Sequence, residues 1–146
     1  MPAPFNYSPS QWHKAKIVVV ETLIKLGRDP KLDDWERRIT YSDLVAKIQN
    51  GVPGMYIYHY GEKLKALLDE VAMASHSAGK VMITSLVVTK HEGRPGRGLS
   101  KLAQSEIGMT MNRKKLNSEQ RAALVFLRSG EADGFLSELR RSQPQE

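Results

Sequence analysis

The side chains best suited to chemistry are cations gathered on a tight turn. In Lys90-His91-Glu92-Gly93-Arg94-Pro95-Gly96-Arg97-Gly98, two arginines flank Pro95-Gly96. Proline presets φ and glycine supplies the bend, so two guanidinium groups project from a small, stiffened tip. Guanidinium suits bidentate phosphate contact or insertion into a minor groove. The plainer use of such a tip is to aid solubility. Lys101 follows the turn, and Arg113-Lys114-Lys115 forms a second basic cluster. That cluster is an ordinary solvated loop unless folding brings it beside Arg94 and Arg97. Between Lys90 and Arg121, eight cations face only Glu92, Glu106 and Glu119, so +5 of the formal net charge of +6 lies in this stretch. Such an excess fits a polyanionic partner, because Lys and Arg that neutralise phosphates release condensed counterions.

A second group precedes a long helical pattern. Tyr56, Tyr58 and Tyr60 alternate there, followed by Lys63 and Lys65. Tyrosine can stack on a base or bond a phosphate, and packing against the helix start is its competing use. Farther along the same outward face, which holds Glu62 and Ser75 as well, Asp69 and Glu70 repel phosphate. Only the N-terminal end of that helix is therefore expected to touch DNA.

Other chemistries find little support. His13, His59, His76 and His91 show no i, i+4 pair and no carboxylate pattern of a metal site. Ser42, Ser85 and Ser100 lie in no nucleophile-elbow context. Gly93, Gly96 and Gly98 loosely suggest a phosphate cradle, but no Lys-Ser/Thr pair follows them. The absence of cysteine excludes a disulfide framework, thiolate zinc sites and a thiol nucleophile, and fits a reducing compartment. A non-catalytic protein without a cofactor is the expectation.

Positioning these groups falls to a series of elements. Ser8-Pro9 reads as a helix cap with proline at the first helical position, and Trp12, Ala15, Val19, Leu23 and Leu26 recur at helical spacing up to Gly27. The polar stretch 28–38 predicts a loop in which Trp35 folds back as a packing anchor; an exposed, functional tryptophan is the alternative. Ile39-Thr40-Tyr41 is a short β-type run. Ser42 then caps a helix over 43–49, stopped by the turn residues 50–54. A long amphipathic helix spans 61–78, with Leu64, Leu67, Leu68, Val71, Ala74 and Ala78 inward and Gly79 closing it. The β-branched run within 80–89 predicts a strand buried on both faces. Residues 99–106 return as a short strand or helical turn. Asn117 and Gln120 have capping-box spacing before a helix carrying Ala123, Leu124 and Leu127, and a last helix covers 132–141. At 146 residues the chain fits one domain, 9–141, between a flexible 1–8 and a fraying 142–146.

Two stretches carry a resemblance. "ITYSDLVAKI" (39–48) and "LVVTKHEGRPGRG" (86–98) resemble the winged-helix DNA-binding domain of alkylguanine-DNA alkyltransferases and alkyltransferase-like proteins. The similarity covers about half the chain, residues 39–101. It implies an α+β fold: a winged helix-turn-helix core, with an added N-terminal helix and C-terminal helices. In such a core the second helix can enter a major groove and the following hairpin, the wing, reaches the backbone beside it. That family has a Pro-Cys-His-Arg motif, or a variant with Trp for Cys, where this chain has Thr84-Ser85-Leu86-Val87. Without sulfur, alkyl transfer is excluded. The chain is also similar to small winged-helix proteins of bacterial mobile elements and defence loci, which implies a bacterial or phage origin.

The expected function is non-catalytic binding of duplex DNA through Tyr58, Lys63, Lys65, Lys90, Arg94, Arg97, Lys101, Arg113, Lys114 and Lys115. The alternative is a protein-interaction module on the same scaffold, a partner of a mobile-element or defence component. An N-terminus without the charged and apolar blocks of a signal peptide, and a longest apolar run of only Ile17 to Val20, lead us to expect a cytoplasmic protein with no membrane partner.

Overall fold

Helix α1 (Pro9–Arg28) starts on a complete capping box. Ser8 Oγ accepts the Gln11 N–H (3.0 Å), and Gln11 Oε1 accepts the Ser8 N–H (3.1 Å). Its stripe of Trp12, Ala15, Val19, Val20, Leu23 and Ile24 is buried, and the helix packs against four others, which makes it the axis of the core. The computed structural model describes Phe5, residues 7–58 and residues 61–142. Most of the N-terminal and C-terminal segments expected to be flexible, and Tyr60 and His59, lie outside the described residues.

After α1 come strand β1 (Ile39–Thr40), α2 (Tyr41–Gly51), α3 (Glu62–Gly79), a 3-10 turn (Ile83–Leu86) and β2 (Val87–Val88). Then follow α4 (Arg97–Leu102) with a π-helical turn (Ala103–Ile107), α5 (Arg113–Arg128) and α6 (Gly130–Arg141). Thr40, not Ser42, caps α2, accepting the Asp43 N–H at 3.2 Å. Asn112, not Asn117, caps α5, accepting the Lys115 N–H at 2.8 Å.

The expected α+β winged helix-turn-helix is corrected by this architecture. Among the described residues the only strands are β1 and β2, and they pair in parallel, Ile39 with Val87 and Thr40 with Val88. No wing hairpin forms, because the chain beyond the basic turn enters α4 and does not return as a strand. The physical reason lies in the segment before β2. Its backbone groups are taken by side chains: Glu119 Oε2 accepts the Met82 N–H (2.7 Å) and Ser75 Oγ accepts that of Ile83 (3.2 Å). Gln120 Nε2 donates to the Ser85 carbonyl at 2.8 Å. A backbone satisfied in this way needs no strand neighbour, so Ile83–Leu86 winds into a 3-10 turn. The run is nonetheless buried throughout, as expected from its composition.

Gly79 is the last residue of α3, as expected, but the left-handed cap falls to the residue after it, Lys80. A Cβ on Gly79 would lie 2.5 Å from the Phe126 ring. The far ends of α1 and α5 lock reciprocally. Arg28 Nε donates to the Leu127 carbonyl and Arg128 Nε to the Gly27 carbonyl, each at 2.8 Å. Both guanidinium groups thus satisfy carbonyls that a helix end leaves unpaired.

Candidate nucleic-acid interface

The parallel pair brings the start of α2 and the basic turn to the same end of the molecule. Tyr41, the first residue of α2, reaches across and its hydroxyl accepts the Gly96 N–H at 2.8 Å. Burial raises the Tyr41 pKa, opposed by that hydrogen bond. The turn is closed internally as well: Thr89 N–H donates to the Arg94 carbonyl (2.9 Å) and Gly93 N–H to that of Thr89 (3.0 Å). Gly93 sits at φ +66°, and a Cβ there would collide with the Trp35 ring. Both reasons require glycine.

Two clefts flank this turn. One, of about 590 Å³, opens at the carboxyl ends of β1 and β2, where α2 starts, and is lined by Ser42, Lys65, Thr84, Lys90 and His91 among others. The buried Thr84 hydroxyl has no hydrogen-bond partner in the protein. The other cleft, about 350 Å³, is lined by Trp35, Arg38, Arg94, Arg113, Asn117 and Gln120 among others. Arg94 and Arg113, distant in sequence, therefore line one cleft.

The ten expected site residues separate into three sets. Lys65 and Lys90 share the larger cleft, and Arg94 and Arg113 the smaller. Arg97 and Lys101 are exposed and lie one turn apart on α4, whose Gly98 packs on the Lys65 stem. Lys114 and Lys115 extend Arg113 through the exposed first turn of α5. Lys63 and Tyr58 do not join them. Two residues along a helix turn a side chain by about 200°, and Lys63 lies instead over the Tyr7 ring, 5.7 Å from its centroid. Tyr58 is exposed but lines neither cleft.

Two of the acidic residues of α3, Asp69 and Glu70, are paired where they stand, while Glu62 has no cation within salt-bridge distance among the described residues. Lys65 Nζ meets Asp69 at 2.6 Å, and Glu70 accepts from Trp12 Nε1 (2.8 Å) and from Lys16 (3.3 Å). Ser75, expected to face outward, is fully buried, whereas Ala74 and Ala78, expected in the buried stripe, are exposed. Among the described residues, Lys90, Arg97, Lys101, Arg113, Lys114 and Lys115 have no carboxylate within salt-bridge distance; Arg94 has Glu92, at 3.1 Å. Three cations in the first turn of α5, with no acid among them, oppose the positive end of its dipole. Each such charge is worth about 0.3–1 kcal/mol in the unfavourable sense.

Trp35, weighed from the sequence chiefly as a packing anchor, and Arg38, which sequence reasoning missed, also line the smaller cleft. Trp35 is 63% exposed, which corrects the expected packing anchor. The Arg38 guanidinium covers one face of its ring, 4.3 Å from the centroid, and donates to Gln120 Oε1 at 2.8 Å. Burial lowers the Arg38 pKa, opposed by Asp34, and its Nε has no acceptor in the protein. The i, i+3 spacing of Trp35 and Arg38 next to β1 was the available signal.

Among the described residues, no group of three or more His, Asp or Glu is placed to hold a metal, and no helix is long and apolar enough to cross a membrane. In comparisons with known proteins, no family model, no curated protein and no solved structure matches the chain.

Proposed function

We propose that this protein binds nucleic acid, duplex DNA included, through the phosphate backbone and without catalysis. The contacts come from Lys65, Lys90, Arg94, Arg97, Lys101 and the Arg113–Lys115 run. One observation carries this: cations from the basic turn and from α5 line one cleft, and six of the eight named cations, all but Lys65 and Arg94, have no carboxylate within salt-bridge distance among the described residues. Solubility alone needs neither convergence nor three cations crowded on a helix N-terminus. Phosphate would relieve both strains at once.

Duplex binding followed by fluorescence anisotropy at two salt concentrations tests the proposal. Engagement of about five phosphates gives a slope of log K against log[salt] of roughly −4.5. Absence of binding at low salt overturns it. A protein partner is the second reading, favoured by an apolar groove of about 420 Å³ that includes Val20, Met73, Leu102, Phe135 and Leu139. Its signature is a complex unaffected by Arg94→Ala and Arg113→Ala.

A further inference from the structure

The smaller cleft holds more than phosphate-binding groups, and its additional members suit a base. Trp35 is the one aromatic residue lining this cleft, and it is exposed. Arg38 occupies one face and Gly93 meets the ring at its six-membered edge, so an exposure of 63% leaves the opposite face to solvent. A tryptophan kept in the open normally loses the benefit of burying its ring. Here it is held in position by a cation beneath it and by a glycine that leaves room for it.

The surrounding groups match the other parts of a nucleotide. Arg113 and Arg94, the latter paired with Glu92 of the same cleft at 3.1 Å, line it beside Trp35, and their guanidinium groups suit phosphate. Asn117, also in the cleft, is exposed and has no side-chain hydrogen bond among the described residues, so both its donor and its acceptor are available to a base edge. Gln120 is already committed to Arg38 and to the Ser85 carbonyl, and so serves to hold the cleft wall.

We infer that this cleft seats an unpaired nucleotide of a single strand, its base stacked on the open face of Trp35 and its phosphates on Arg94 and Arg113. The inference rests on the nucleic-acid reading above and adds a preference to it. In a duplex both faces of each base are already stacked on neighbours, whereas a single strand can present one to the indole. The prediction is therefore selectivity for single-stranded over double-stranded ligand.

The test compares a labelled thymidine homopolymer, a uridine homopolymer and a mixed-sequence duplex of equal length, with tryptophan emission recorded alongside anisotropy. Expected are tighter binding of the single strands than of the duplex and quenching of tryptophan emission by them. The two homopolymers report whether the strand is DNA or RNA. Trp35→Ala weakens single-strand binding roughly tenfold to a hundredfold; it leaves duplex binding within about twofold and abolishes the quenching. Trp35→Phe retains most of the affinity, and Gly93→Ala, which displaces the ring, behaves like Trp35→Ala. Equal binding of single strand and duplex, with emission unchanged, overturns the stacking site but leaves backbone binding standing. Failure of every nucleic acid to bind at low salt overturns both.

Discussion

Two arginine-rich regions lie in this molecule, and they are built on opposite principles. At the α1–α5 end, Arg28 meets Asp133 at 3.0 Å, Arg128 meets Asp34 at 3.2 Å and Arg37 meets the same Asp34 at 2.7 Å. Each of these guanidinium groups also donates to a backbone carbonyl. Around the basic turn and the start of α5, by contrast, cations stand together largely without acids. The same residue type thus serves as internal mortar in one place and as an unsatisfied surface in the other. Only the second arrangement leaves its cations facing solvent largely without acids.

Breaking each region in turn should give opposite outcomes. The largest effect is expected from replacing Arg94, Arg113, Lys114 and Lys115 together by alanine: duplex affinity at low salt falls by more than about a hundredfold and the salt slope flattens by roughly 4, as anisotropy would show. Thermal stability stays the same or rises. Arg28→Ala reverses the pattern. Loss of charge-assisted bonds to Leu127, Ser129 and Asp133 destabilises the fold by about 1.5–3 kcal/mol in chemical denaturation, with nucleic-acid affinity unchanged.

A subtler variant sharpens the contrast. Lys115 donates its N–H to the Asn112 cap and occupies the third position of α5, where glutamate favours the helix dipole and can return a hydrogen bond to the cap. Lys115→Glu should therefore stabilise the protein by about 0.5–1 kcal/mol while weakening DNA binding severalfold. Stability and affinity moving together would contradict the proposed division of labour.

The smallest effect concerns acid. Hydrogen bonds from Arg128 and Arg37 hold Asp34 below its ordinary value of 3.8, and one from Arg28 does the same for Asp133. Carboxylates with lowered folded-state pKa stabilise above the unfolded value, and that share is lost as pH falls through the folded one. Both are solvent-exposed, so the loss is slight. Melting curves of the wild type and Asp34→Asn should converge only below about pH 3.8. Convergence already at neutral pH would show that the paired region contributes nothing.

How much of this was legible beforehand depends on where the determining partners sit. The start of α1 was readable because Ser8 and Pro9 are adjacent, and the buried stripes of α1 and of α3 as far as Val71 because helical spacing repeats within each segment. The run before β2 misled because strong burial and β-branching do not specify a strand when Ser75, Glu119 and Gln120 supply its hydrogen bonds from other helices. The same run supported the winged-helix expectation, which fell with it. The end of α3 at Gly79 was legible, but the close approach of Phe126 that requires glycine there was not, because Phe126 lies far along the chain. Of the site, the cations themselves were visible as a charge excess. The placing of Arg94 and Arg113 in one cleft, and the exposure of Trp35, depend on tertiary packing that no local pattern encodes.

The latching of the segment before β2 carries a consequence for how the fold opens. The Met82 and Ile83 amides are shielded by Glu119 of α5 and Ser75 of α3, so their hydrogen exchange is tied to the undocking of helices and not to the fraying of a sheet. Those two amides should exchange in step with the middle of α5. The two-residue strand pair then opens as a passenger of the helical bundle, and deuterium uptake at Met82 becomes a direct gauge of whether α5 is seated.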